Sequence, residues 1–278
     1  MKGFTDENPE LLSGSDYPGC CAMTPMTDIT VTHDKHVALV VMCRPPHNFV
    51  DEDFMRRLAD TLEQLDADTH CRAVVISSGA GSFCAGADFS GVPDSTVARD
   101  PSAFYLQAMR VYRGKKPIVA AVQGAAIGAG LGLAVAADFR VTCKEARFSA
   151  NFTRLGFHPG FGLSLTLPRL IGEQKAALLL YTARRIGGAE AVAIGLADEL
   201  VEKAEVMERA VELAHEIATS APLAVETTRE TLRQGLAERI TQANQRELAI
   251  QREQFRTADF REGVAAMTER RQPVFQRC

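Results

Sequence analysis

Gly81-Ser82-Phe83-Cys84-Ala85-Gly86-Ala87-Asp88 and Gly124-Ala125-Ala126-Ile127-Gly128-Ala129-Gly130-Leu131-Gly132 are the stretches on which the fold of this chain turns. Each follows an apolar, β-branched run, over residues 73–76 and 118–122. Each therefore reads as a buried strand entering a turn of small residues and then a helix. Such a turn leaves backbone N–H groups without intrahelical partners, at the positive end of the helix dipole. Two turns of this kind aimed at one point can hold a developing oxyanion, which makes acyl chemistry the first hypothesis.

Working outward, residues 37–43 form an apolar run of strand length that ends at Arg44-Pro45-Pro46-His47-Asn48, where the prolines force an extended turn. Residues 51–66 read as an amphipathic helix, with Phe54, Leu58, Leu62 and Leu65 on one face and Asp51 and Asp53 at its start. Residues 73–77 give the next strand. Phe139, Val141 and Cys143 alternate with Arg140 and Thr142, as in a half-buried strand. Strand and helix thus alternate, which predicts an α/β architecture. From about residue 173 helices dominate, over 213–218, 224–236 and 240–255, with breaks near Pro222 and Gly235. The expected division is a flexible N-terminal extension over residues 1–26, an α/β core over 27–215 and a helical region over 216–278.

The bulk numbers exclude several classes. With 46% hydrophobic and 24% charged residues, the 278-residue chain can bury a substantial core. A net charge of -4, with basic residues only in isolated pairs such as Lys115-Lys116 and Arg184-Arg185, argues against a nucleic-acid partner. Seven scattered cysteines without a C-x-x-C predict reduced thiols and a cytoplasmic location rather than a disulfide framework or a zinc site. Cys84 lacks an adjacent histidine and reads as a small buried residue, not a nucleophile. The first 26 residues have no basic start followed by an apolar run, so no signal peptide is expected. Residues 117–137 are long and apolar enough to span a bilayer, but four glycines break them, and a buried strand, turn and helix is the better reading. No membrane association is expected.

Other chemistry is also excluded. Gly128, Gly130 and Gly132 fail the dinucleotide spacing, and Ala87 stands where a phosphate loop needs lysine. There is no G-x-S-x-G elbow, and the six histidines lack ligand spacing, so no metal is expected.

In combination these residues resemble the crotonase superfamily, the enoyl-CoA hydratase/isomerase family. Arg44-Pro45 followed by Asn48 is similar to its R-P-x-x-x-N turn, one residue shorter. Residues 83–88 resemble its F-x-A-G-A-D signature, and residues 116–124 its K-P-x-x-A-A-V-x-G strand. Gly128-Ala129-Gly130 stands at its glycine triplet. Ala189-Glu190-Ala191 with Gly195-Leu196, and Asp259-Phe260-Arg261-Glu262-Gly263, fit later patterns.

The resemblance implies a spiral of ββα units with an all-helical C-terminal region that assembles as a homotrimer or dimer of trimers. It implies an acyl-CoA thioester substrate, with no cofactor beyond the coenzyme A that the substrate carries. By position the oxyanion donors are the backbone N–H groups of Ala87 and Ala129. His47, Asn48, Ala85, Gly86, Gly128, Gly132 and Phe152 are expected to line the substrate site. Family hydratases place one glutamate just after the glycine triplet and a second on the F-G-x-P-E segment; the corresponding residues are Gly132 and Phe152. Neither moves a proton, so poor hydratase activity is expected. Asp88 and His158 are the candidate replacements, against the plainer readings of a turn cap and a loop histidine bonded to backbone. Alternatives are a different crotonase reaction, decarboxylation or thioester hydrolysis, and a non-catalytic acyl-CoA-binding paralogue.

Overall fold

The computed structural model describes residues 28–88 and 100–278. The expected N-terminal extension lies outside the described residues.

The architecture is mixed α/β. β1 (Ile29–Asp34) and β2 (Val37–Met42) form an antiparallel hairpin. β2 then pairs in parallel with β3 (Ala73–Ser78), β3 with β4 (Ile118–Val122), β4 with β6 (Phe139–Thr142), and β6 with β9 (Glu199–Leu200). A second, three-stranded sheet joins β5 (Ala125–Ile127), β7 (Arg147–Ser149) and β8 (Ile186–Gly187). Every residue of β2 and β4 is buried, so these strands are continuous apolar runs, as parallel strands covered on both faces must be. Each buried Val, Leu or Ile side chain contributes about 1.5–3 kcal/mol relative to exposure.

Helix α1 (Glu52–Ala67) begins one residue after its expected start because Asp51 is its cap, accepting from Phe54 N at 2.8 Å. Its apolar stripe, Phe54, Leu58, Leu62 and Leu65, is buried as its spacing predicts. α2 (Ser102–Arg110) packs on α1. α3 (Ala129–Ala136) is buried on all sides, which is why its sequence is apolar throughout. Residues 117–137 are thus β4, β5 and α3, and no helix among the described residues is long and apolar enough to cross a membrane.

α4 (Leu163–Ile171), α5 (Glu173–Thr182), α6 (Gly188–Ala193), α7 (Val206–Ala218), α8 (Pro222–Leu232), α9 (Leu236–Gln254) and α10 (Ala258–Thr268) complete the chain. α7 packs on β2, β3, β4 and β6, so it belongs to the core. The expected division at 215/216 falls inside this helix, and the break lies at residues 219–221, before Pro222 starts α8. α8 is fastened to the core by ion pairs: Arg229 and Arg233 reach Asp138 at 2.9 and 2.7 Å, and Lys116 reaches Glu226 at 2.6 Å.

Two expectations are corrected. β6 is not half-buried: Phe139 is 37% exposed, whereas Arg140 is 2% exposed. The Arg140 guanidinium donates to the carbonyls of Leu196, Ala134, Ala137 and Asp138, and these bonds satisfy it inside the core. Cys43 is disulfide-bonded, contrary to the expectation of seven reduced thiols. Cys71, Cys84, Cys143 and Cys278 are free.

Candidate active site

The two glycine-rich turns meet at the C-terminal ends of the parallel strands, where open α/β sheets place their ligands. Cys84 N donates to Ala125 O at 2.9 Å, and Ile127 N donates to Cys84 O at 3.0 Å, a short parallel bridge between the turns. A second bridge joins Val50 to Ala87, with Val50 N donating to Gly86 O at 2.9 Å.

Small residues allow this approach. A β-carbon on Gly130 would lie 2.0 Å from Cys84 O, and one on Gly86 would lie 2.8 Å from Ile127 O and 3.6 Å from Ala129 N. Gly86 has φ +91° and Gly128 has φ +56°, a region that side chains disfavour. Gly128 N is occupied by Ser149 O at 2.9 Å. Neither Ala87 N nor Ala129 N donates to a carbonyl among the described residues. Ala129 opens α3, so its amide also lies at the positive end of a buried helix. Both amides are thus without a carbonyl partner and lie on adjoining turns.

The surroundings of the two turns are aromatic. Phe152, in the 3-10 turn Asn151–Leu155, is 4% exposed, and its Cζ lies 3.9 Å from a β-carbon built on Gly128. Asn151 Oδ1 faces the same position at 2.8 Å. Phe152 meets Phe157 edge-on, with centroids 5.5 Å apart. Phe161 was not singled out from the sequence. Its ring covers Gly132, where a built β-carbon falls 2.4 Å from its Cγ. Phe161 is fully buried with φ +62°, and its carbonyl accepts from Tyr112 Oη at 3.1 Å.

Three α9 side chains hold the segment that carries this ring. Glu247 accepts from Gly162 N at 2.8 Å and Ser164 N at 2.9 Å; Gln251 Nε2 donates to His158 O at 2.8 Å; Gln254 Oε1 accepts from His158 N at 2.6 Å. The contacts span 83 to 96 residues of chain, so no local pattern announces them.

The remaining candidates divide. Asn48 is fully buried with φ +51°, and its amide donates to Met42 O, Ser78 Oγ and Phe83 O while Oδ1 accepts from Arg44 N. That side chain is spent on holding the turn. His47 is exposed, its carbonyl accepting from Ala85 N at 3.0 Å. Asp88 is exposed and follows Ala87 directly. His158 Nδ1 lies 2.8 Å from Pro159 O, a carbonyl that only accepts, so Nδ1 carries the hydrogen. Among the described residues it bonds to α9 and to its own loop. Burial pushes the Cys84 thiol up to about 12, which fits a small core residue and not a nucleophile. A separate cavity lined by Leu62, Asp66, Val74, Arg110 and Ile118 sits at the opposite ends of β3 and β4 and takes no part in this site.

The model of the family described as enoyl-CoA hydratase/isomerase matches residues 19–277. The chain belongs to the enoyl-CoA hydratase/isomerase family. The short-chain-enoyl-CoA hydratase of Clostridium acetobutylicum is 31% identical over 252 residues, 88% of this chain and 96% of that protein. The crotonyl-CoA hydratase of Syntrophomonas wolfei is 32% identical over 253 residues, 89% of this chain and 97% of that protein. Among solved structures, the enoyl-CoA hydratase/isomerase from Pseudoalteromonas atlantica superposes with a TM-score of 0.81 at 30% identity, covering 90% of this chain and 100% of that one. The crotonase fold and its C-terminal helices are therefore those of the family.

Proposed function

We propose that this family member holds an acyl-CoA thioester with its carbonyl oxygen at the amides of Ala87 and Ala129 and stabilises an enolate-like state, without the hydration machinery of its relatives. The observation that carries this reading is the contact between Gly132 and Phe161. At the position where family hydratases carry a glutamate there is no side chain, and a phenyl ring fills the space one would need. At the second glutamate position stands Phe152, also buried. Adding water requires a positioned water molecule and groups that move its protons, and neither residue supplies them.

Among enolate-forming reactions, loss of carbon dioxide from an α-carboxylated acyl-CoA fits this site best. The C–C bond breaks heterolytically, its electron pair passes to the α-carbon and carbonyl oxygen, and solvent protonates the product. No protein base is needed. The amides of Ala87 and Ala129 carry the oxyanion charge. The same reading implies a homotrimer or dimer of trimers, with exposed Leu223 and Leu232 of α8 as candidate contact residues.

Mass-spectrometric product analysis of the pure protein with short and long enoyl-, 3-hydroxyacyl-, malonyl-type and β-keto-CoA tests it. Decarboxylation supports the proposal. Fast hydration of a short enoyl-CoA overturns it, and binding without product indicates a non-catalytic acyl-CoA-binding protein.

A further inference from the structure

Tyr105 of α2 and Gln251 of α9 are 6% and 0% exposed and meet at Gly160. A β-carbon built there would lie 1.9 Å from the Tyr105 hydroxyl and 2.7 Å from Gln251 Nε2. The orientation of the amide is forced. His158 O, which only accepts, lies 2.8 Å from one end of it, so that end is the NH2 group. Its second hydrogen goes to the Tyr105 oxygen at 3.1 Å. Both amide hydrogens are then used, and Tyr105 is the acceptor in its contact with Gln251.

Two functions remain over. Gln251 Oε1 is buried without a partner. The Tyr105 O–H hydrogen has no acceptor among the described residues, Gln251 being the hydroxyl's one bonded partner there. A buried donor or acceptor left unsatisfied costs about 1–3 kcal/mol, so an adjacent donor and acceptor call for an occupant.

The pair lies beside the segment that carries Phe161. Gly160 precedes Phe161, whose ring covers Gly132, one turn of α3 beyond Ala129. Phe104, beside Tyr105, packs edge-on against Phe161 with centroids 6.3 Å apart. The orphan donor and acceptor thus belong to the packing around the ring that covers Gly132.

We propose that Tyr105 and Gln251 select an acyl chain bearing a neutral hydroxyl group remote from the thioester, an inference that rests on the acyl-CoA reading above. A hydroxyl donates to Gln251 Oε1 and accepts from Tyr105 at once. A carboxylate cannot donate, and it would meet the field of buried Glu247, one turn earlier on α9. An ammonium cannot accept. Burial raises the Tyr105 phenol, so it stays protonated and remains a donor. An ordered water shares the hydroxyl's chemistry, and the experiment separates the two.

Calorimetric titration of the full-length protein with hexanoyl-CoA and with its 4-, 5- and 6-hydroxy derivatives is the test. At least one hydroxylated ligand is expected to bind about tenfold more tightly than hexanoyl-CoA, and Tyr105→Phe is expected to reduce that ratio to about one. Equal affinity of all four ligands for the wild-type protein overturns the proposal and leaves the pair to water, while the thioester reading stands. Failure of all four to bind overturns both. A preference that persists in both Tyr105→Phe and Gln251→Leu also overturns it.

Discussion

The ring of Phe161 occupies the space that a side chain on Gly132 would need, with Cγ 2.4 Å from the built β-carbon. Gly132→Glu therefore does not restore a hydratase. It overpacks the core and destabilises the protein by about 3 kcal/mol, read as a lowered melting temperature with no gain in crotonyl-CoA hydration. Combining it with Phe161→Gly relieves the clash, and the double variant is expected to melt above Gly132→Glu alone.

Ala129 is the first residue of α3, where proline is tolerated because its missing N–H has no intrahelical partner. Ala129→Pro thus deletes one proposed oxyanion donor with little cost to the helix. Turnover of the best substrate should fall about a hundred- to a thousand-fold. A folded Ala129→Pro protein with unchanged kcat would refute the cradle.

With its thiol pushed up to about 12, Cys84 holds about one thiolate in ten thousand at pH 8. Exposed Cys278 should take up iodoacetamide in the native protein while Cys84 does not. Peptide mapping that finds Cys84 alkylated before unfolding contradicts its burial.

Asp138 accepts from Arg229, Arg233 and Ile118 N, tying α8 to the start of β4. Asp138→Asn leaves two guanidinium groups with a neutral partner and is expected to cost about 2–4 kcal/mol in urea unfolding. A change below about 0.5 kcal/mol would show that α8 is held by other contacts.

The Glu262 carboxylate, held to about 2 by hydrogen bonds from Arg271 and then from Val274 N, lies below its ordinary 4.5. A depressed carboxylate adds stability above its unfolded value and loses it as pH falls through the folded one. The segment around Val274 should therefore loosen as pH drops from 4.5 toward 2, seen as faster amide exchange there. In Glu262→Gln this acid dependence should be absent.

Much of the fold was legible because its determinants are local. The stripe of α1 and the small residues at Gly86, Gly128 and Gly130 each follow from spacing within a dozen positions. Arg140 was not legible, because four carbonyls brought in by tertiary structure satisfy it, so that both faces of β6 are buried from residue 140 on. Asn48 resembled a substrate ligand, yet its side chain is consumed by Met42, Ser78 and Phe83. Phe161 escaped notice because its role depends on a contact with Gly132 across 29 positions of sequence. Tyr105 and Gln251 are farther apart still, separated by 146.

The bridges that join Cys84 to Ala126 and Val50 to Ala87 are made by peptide groups, and the glycines beside them matter for what they lack. The two amides are consequently set by the chain's path, which the Asn48 side chain braces at the first turn. Substitutions at positions such as Phe152 can recast the chemistry performed on a substrate while leaving its proposed anchoring point untouched. A scaffold arranged in this way can change its reaction by point mutation without first having to rebuild its grip.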